Sequence, residues 1–224
     1  MSNVTDIQHD TDQCDDLLGD DIVEFFLRYQ GPLPTCSRTS SRTPEKDAIR
    51  RILSPQLKDF WEKHPGLNER IAAAEIVERT IKGRGIFDKE SAPNKSPCYH
   101  VPFKGWRFIP LVVRARRWVC DLKITFLRRH EPGDIISGGD IDNRLKTLFD
   151  ALRIPGNAEE TVGQHQGEID DKVFCLLEDD ALITSLSVDT ERLYGPVDES
   201  LSEADVNILM RVTIKKYNRD LGLV

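Results

Sequence analysis

Apolar residues recur along this chain in two periods, and together they predict both strands and helices. Alternation of apolar and polar residues, the period of a half-buried strand, runs through residues 22–29, 118–129 and 206–217. Residues 106–115 predict a further strand, joined to the one at 118–129 by a short basic turn at 116–117. Apolar residues spaced three or four apart predict helices. Such helices are expected at 43–63, restarted or kinked near Pro55, and at 67–81.

The segments between these elements predict how the chain is organised. Residues 1–20 are acidic and poor in apolar side chains, which predicts a disordered tail. Residues 87–102 are rich in Pro, Ser and Asn and predict a loop. We expect a single domain over 21–224, with a helical insertion at about 43–83 and a polar loop insertion at about 154–173. A chain of 224 residues is long enough for such a domain.

Bulk properties narrow the classes of protein that fit this sequence. No apolar run approaches the ~20 residues of a membrane-spanning helix, and the N-terminus lacks the features of a signal peptide. The five cysteines are scattered without metal-ligand spacing, which favours reduced thiols. The sequence therefore predicts a cytoplasmic protein with no membrane partner.

The formal net charge of −7 is unevenly distributed. Residues 1–21 contain seven aspartates and no Lys or Arg, so this tail alone accounts for the net charge. Residues 95–129 contain nine Lys and Arg residues and one acid, Asp121. Acids dominate from 131 to 205. A basic surface beside an acidic pocket suits a nuclease, because the first can hold backbone phosphates and the second a metal ion. An ordinary solvated surface with clustered charges is the alternative.

One stretch, residues 138–152, combines a helix with an unusual set of charges. The apolar face of the helix consists of Leu145, Leu148, Phe149 and Leu152. Asp142, Lys146 and Asp150 follow one another at intervals of four, and Asp140 precedes the helix after two glycines. Capping of the helix N-terminus explains acids at these positions equally well.

A second acidic cluster favours a metal site over simple capping. Glu178, Asp179 and Asp180 stand together between the apolar run at 174–177 and strand-like residues at 181–188. Adjacent carboxylates repel one another and are poorly solvated when a fold encloses them. A hard divalent cation would remove that conflict, because Mg²⁺ takes oxygen ligands.

At these residues the chain resembles the RusA-type Holliday junction resolvases. The residues that carry the resemblance are Asp140-Ile141-Asp142-Asn143-Arg144-Leu145-Lys146, then Asp150-Ala151-Leu152, then Asp179-Asp180-Ala181-Leu182-Ile183. The resemblance covers about half of the chain, roughly 118–217. It implies an α+β fold in which helices flank a mixed β-sheet, a homodimer, and Mg²⁺-dependent cutting of branched DNA. The polar insertion at about 154–173 departs from the family pattern and puts the substrate in question.

The resemblance also implies roles for individual residues. Asp140, Asp142 and Asp180 would be the metal-binding carboxylates, with Asp179 orienting them or joining them as a ligand. Lys146 would be the essential lysine that neutralises charge on the transition state or leaving group. Mg²⁺ is the expected ion and Mn²⁺ the alternative, and the metal would lower the pKa of a bound water.

Three other functions fit parts of the sequence. A nuclease of the same chemistry could act on flaps, replication forks or invading DNA. A glycosyltransferase could use Asp-x-Asp to bind Mn²⁺ and a sugar nucleotide, although that motif normally ends a strand with no Asn-x-x-Lys helix after it. A DNA-binding protein without catalytic activity could keep the acidic cluster for stability. Cleavage of labelled four-way, flap and linear DNA would separate these alternatives.

Overall fold

The structure is a computed structural model. It describes residues 22–33, 42–64, 67, 75–76, 99–128, 141–156, 160–161, 171–194 and 205–217. The fold is α+β, with eight strands and two helices among these residues. The helices are α1 (Thr43–Lys63) and α2 (Ile141–Leu152), and the strands are β1 (Val23–Pro32), β2 (Glu75–Ile76), β3 (Tyr99–Phe103), β4 (Trp106–Val112), β5 (Trp118–Arg128), β6 (Lys172–Leu177), β7 (Ile183–Arg192) and β8 (Asp205–Lys216). Neither helix could cross a membrane.

Four long strands form the first sheet, in the order β1-β8-β5-β7. β8 pairs antiparallel with β1 and with β5, whereas β7 pairs parallel with β5. Burial alternates along β8 because Val206, Ile208, Met210, Val212 and Ile214 all face the core. The sheet is therefore mixed and covered on one face.

Four shorter strands form the second sheet, in the order β2-β3-β4-β6. β3 and β4 are joined by a two-residue turn at Lys104 and Gly105, whose φ angles are 48° and 81°. Two positive φ values match the twist of a tight hairpin, and glycine takes the second at no steric cost. β4 and β6 pair parallel and are buried almost throughout, as expected for a sheet covered on both faces.

Helix α1 joins the two sheets to α2 through one hydrophobic core. Leu53, Leu57 and Trp61 are almost fully buried on its inner face, and the helix packs against β1, β6 and α2. Pro55 lies inside the helix, which continues to Lys63 without a break. A proline has no backbone N–H to donate to the preceding turn of a helix. Pro55 lies on the exposed side of α1, where the loss of that hydrogen bond disrupts the helix less.

The structure corrects three sequence predictions. The helix expected at 67–81 is wrong at Glu75–Ile76, which form β2, and the loop expected at 87–102 is wrong at its end, where β3 begins. The strand expected at 106–115 stops at Val112, and a 3₁₀ turn follows at Arg114–Arg116. β2 and β3 pair with each other across more than twenty residues, and local periodicity carries no signal of such pairing. The predicted tail, most of the insertion at 154–173 and residues 65–66, 68–74 and 77–83 of the helical insertion lie outside the described residues.

The ends of α2 and β6 meet, and this junction positions the motif residues. The backbone N–H of Ile154, just after α2, donates to the carbonyl of Leu177 at 3.1 Å. Arg153 and Leu177 form an isolated parallel bridge. The C-terminal end of α2, which carries Asp150, is therefore fixed beside the end of the strand that leads to Asp179 and Asp180.

Candidate functional site

Glu178, the first acid of the cluster after β6, has a structural role. It is only 3% exposed. Its backbone N–H donates to the carbonyl of Val112 at 2.9 Å, and its Oε2 accepts from the backbone N–H of Arg114 at 2.7 Å. Glu178 therefore ties the end of β6 to the link between β4 and β5, and its burial is balanced by hydrogen bonds.

The next two acids, Asp179 and Asp180, lie side by side at the start of a 3₁₀ turn (Asp180–Leu182). Asp179 caps this turn, because its Oδ1 accepts from the N–H of Ala181 at 2.8 Å. Desolvation raises the pKa of Asp180, the charge of Arg153 opposes this, and the carboxylate of Asp179 raises that pKa further. The net pKa of Asp180 lies above its ordinary value. The two neighbouring carboxylates thus repel each other when both are ionised, and a bound cation would reduce this repulsion.

Asp142 and Lys146 lie on the exposed side of α2, one turn apart. Asp142 stands in the first turn, where its Oδ1 accepts from the N–H of Asn143 at 2.8 Å. Arg144, between them, donates to the carbonyl of Leu33 at 2.7 Å and so holds α2 against the end of β1. Both Asp142 and Lys146 are therefore accessible to a ligand.

Asp150, from the same helix, is placed very differently. It is 7% exposed, and its carboxylate accepts from Lys46 Nζ at 2.8 Å and from Arg153 Nη2 at 2.7 Å. Burial favours a higher pKa, but the hydrogen bonds and charges of Lys46 and Arg153 outweigh it and hold the pKa of Asp150 below its ordinary value. Asp150 is consequently a structural ion-pair partner, although it shares its sequence spacing with Asp142 and Lys146.

Arg50 of α1 extends this ion pair into a network that reaches the insertion. Its Nη2 donates to the carbonyl of Asp150 and its Nη1 to the carbonyl of Glu160, both at 2.7 Å. Arg153 Nη2 also contacts Glu160 Oε1 at 3.2 Å. The sequence interpretation missed these residues. A signal was present, because Lys46 and Arg50 lie among the apolar positions of α1, and cations on a buried face require anions opposite them.

Part of the predicted basic surface forms contacts with other residues of the protein. Arg107 pairs with Asp171, Lys123 Nζ lies 3.2 Å from Asp189 Oδ2, and Lys104 Nζ donates to the carbonyl of Thr161 at 3.0 Å. The guanidinium of Arg116 lies over the ring of Trp118, 5.1 Å from its centroid. These contacts hold segments together, so the excess of cations in 95–129 is partly structural.

The structure brings together some of the predicted site residues. Asp179 and Asp180 are neighbours, and their 3₁₀ turn packs against α2. The charges of that helix end that act on Asp180 are those of Arg153 and Asp150, two turns or more beyond Asp142. Asp140 lies outside the described residues. Within the described part of the chain, no group of three or more His, Cys, Asp or Glu side chains is arranged to hold a metal ion. The set of Asp140, Asp142 and Asp180 therefore stays a prediction.

Comparisons with known proteins add no family to this picture. No protein-family model matches the chain, and no curated protein matches it.

Proposed function

We propose that this protein is a Mg²⁺-dependent, structure-selective endodeoxyribonuclease of the RusA type that acts as a homodimer on branched DNA such as Holliday junctions. The observation that carries the proposal is the adjacent pair Asp179 and Asp180, whose 3₁₀ turn packs against α2, the helix that also carries the exposed Asp142 and Lys146. The motif that resembles the resolvases thus supplies accessible acids and an accessible lysine on two packed elements.

The residues fit a hard divalent cation. Asp180 is exposed, and its pKa is raised first by desolvation and then by the neighbouring carboxylates of Asp179 and Asp150, against the opposing charge of Arg153. Mg²⁺ prefers carboxylate oxygens and retains waters that substrate phosphate can displace. Asp142 and Asp180, together with Asp140, would hold the ion, and Asp179 would orient Asp180. Mn²⁺ has the same ligand preference and is the expected substitute.

The chain's own groups have separate tasks in phosphodiester hydrolysis. The bound metal would supply activation of a water and stabilisation of charge on the phosphate. Lys146 would place its ammonium against the scissile phosphate or the leaving oxygen, where a positioned cation stabilises developing charge. Glu178 and Asp150 would keep the two elements in register without touching substrate, since both carboxylates are satisfied within the protein.

Incubation with end-labelled four-way, flap and linear DNA tests this proposal. Wild-type protein is expected to cut the four-way junction in Mg²⁺ and to leave it intact in EDTA. Asp140→Asn and Lys146→Ala should each abolish cutting, whereas Lys58→Ala, at a partly exposed lysine of α1, should not. Preferential cutting of flaps would support the proposed cleavage chemistry but assign the protein a different DNA substrate. Tight binding without cutting would refute catalysis and favour a DNA-binding role.

A further inference from the structure

A second concave site lies at the opposite end of β6 from Asp179 and Asp180. It is a pocket of about 190 Å³ between the middle of α1, the start of β4 and the start of β6. Lys172 and Val173, the first two residues of β6, line it, whereas the acidic pair follows the last residue of that strand. A strand of six residues spans roughly 20 Å, so the two sites are separate.

The rim of this pocket is cationic. Arg51 is exposed and Lys172 half-buried, and both line the opening. Among the described residues that line the pocket, the acid is Asp47, whose Oδ1 accepts from Arg50 Nη1 at 2.8 Å. Because that carboxylate is already paired, the exposed guanidinium of Arg51 is available at the opening, where it favours an anionic ligand.

The wall of the pocket is apolar and aromatic. It is formed by Pro55, Trp106, Phe108 and Val173, of which Phe108 is buried and Trp106 partly exposed. A partly exposed indole offers a face on which a flat ring can stack, as bases do on aromatic side chains of proteins that bind single-stranded nucleic acid. The lining thus combines a stacking surface with cations at the opening.

Two residues of the lining also carry buried polar atoms that lack partners. Among the described residues, Arg50 Nε and Thr161 Oγ1 have no hydrogen-bond partner, although both residues are about 5% exposed. The remaining guanidinium nitrogens of Arg50 are held by Asp47, Asp150 and Glu160, so its position is fixed. A buried donor without an acceptor destabilises the free protein, and a ligand that brings acceptor atoms would remove part of that cost.

We propose that this pocket binds one nucleoside phosphate unit, with its base against Trp106 and its phosphate at Arg51 and Lys172. The volume is below the roughly 300–1,000 Å³ of sites for drug-sized ligands, which limits the enclosed part to about one base. The unit comes either from a free mononucleotide or from an unpaired nucleotide of DNA. This binding does not require the cleavage chemistry, because none of the lining residues belongs to the acidic site.

Calorimetric titration in EDTA tests the pocket independently of nuclease activity. The probes are deoxyadenosine monophosphate, a short single-stranded oligonucleotide, deoxyadenosine and inorganic phosphate. Wild-type protein should bind the monophosphate or the oligonucleotide more tightly than either deoxyadenosine or phosphate. Arg51→Glu should weaken that binding about tenfold or more, since it replaces a charge-assisted contact with repulsion. Lys58→Glu makes the same charge change elsewhere on α1 and should leave the affinity within about twofold.

The two sources of the unit give different results, and both support the pocket. Binding of the oligonucleotide alone identifies DNA as the source, and binding of both identifies the nucleotide unit itself. The proposal would be overturned if neither the monophosphate nor the oligonucleotide binds, or if inorganic phosphate binds as tightly as they do. It would also be overturned if Arg51→Glu and Lys58→Glu lose the same affinity. Circular dichroism of both variants establishes that they remain folded.

Discussion

The two ends of α2 carry aspartates of opposite character. Asp142, in the first turn, is exposed and accepts from its own neighbour, whereas Asp150, in the last turn, is buried between Lys46 and Arg153. Asp180 resembles Asp142 in its exposure, but its pKa is raised where that of Asp150 is lowered. Acids of one motif thus divide into a group that stabilises the fold and a group that can meet a ligand.

The difference shows what spacing alone conceals. Asp142, Lys146 and Asp150 follow at intervals of four, which places them along one side of a helix. That side is exposed at Asp142 and Lys146 and buried at Asp150, where Lys46 of α1 meets the helix. An acid that is fully paired inside the protein has no capacity left for a metal, and an exposed acid beside another acid does.

Replacement of Asp150 should have the largest effect on stability. Asp150→Ala leaves Lys46 and Arg153 buried with less compensation, and breaking a buried pair in this way costs about 3–5 kcal/mol of the free energy of unfolding. Urea denaturation followed by circular dichroism measures this loss. Lys58→Ala, which removes a surface pair with Glu62, should change stability by less than about 1 kcal/mol. Equal losses in both variants would mean that the network around Asp150 contributes no more than a surface contact.

Replacement of Asp180 should affect the metal and spare the fold. In the proposed function Asp180 is a charged metal ligand, so Asp180→Asn should lower Mg²⁺ affinity by at least the roughly 10–100-fold that loss of an outer-shell partner causes. Calorimetric titration with MgCl₂ measures the affinity, and Asp189→Asn on β7, at a partly exposed aspartate that pairs with Lys123, serves as the control. Unchanged Mg²⁺ affinity in Asp180→Asn, or an equal loss of affinity in Asp189→Asn, would mean that Asp180 is no more a metal ligand than Asp150.

The two acids should also respond to pH with opposite signs. The pKa of Asp150 is depressed when folded, so its stabilising contribution is present above the ordinary value of 3.8 and is lost as pH falls through the lower folded pKa. The stability gap between wild type and Asp150→Asn should therefore close in acid. The pKa of Asp180 is raised, so its ionisation disfavours the folded state and Mg²⁺ binding should weaken from a pH above 3.8 downward. Denaturation and titration at pH 3–7 check both signs.

A smaller effect is expected at Glu178. Glu178→Gln keeps an oxygen that can accept from the N–H of Arg114 but removes the charge, so the free energy of unfolding should fall by about 1 kcal/mol. Urea denaturation checks this value. Cleavage activity per folded molecule should be retained, since Glu178 is buried and its carboxylate is hydrogen-bonded within the protein. A large loss of cleavage with intact stability would instead assign Glu178 to the catalytic group.

Elements with strong local patterns were predictable from the sequence. The expected strands at 118–129 and 206–217 match β5 and β8, and the expected motif helix matches α2, because alternation and four-residue spacing are local properties. The division into two sheets was not predictable in this way. β6 pairs with β4 across some sixty residues, and no pattern within either strand names its partner.

The sequence predicted which acids form the candidate site, but not the environment of each acid. Adjacent acids at 178–180 indicated a cation site, and the structure separates buried Glu178 from Asp179 and exposed Asp180. Whether an acid is compensated depends on residues far away in sequence, such as Lys46, which lies about one hundred positions before Asp150. Only the folded chain reveals that partner.

Single-turnover cleavage of a labelled four-way junction in Mg²⁺ tests the central claim most directly, when wild type is compared with Asp142→Asn, Asp180→Asn and the control Asp189→Asn. The expected result is a rate at least about 100-fold lower in the first two variants, at unchanged stability and with the control intact. Cleavage by Asp142→Asn and Asp180→Asn at the wild-type rate would contradict the assignment of the exposed acids to catalysis.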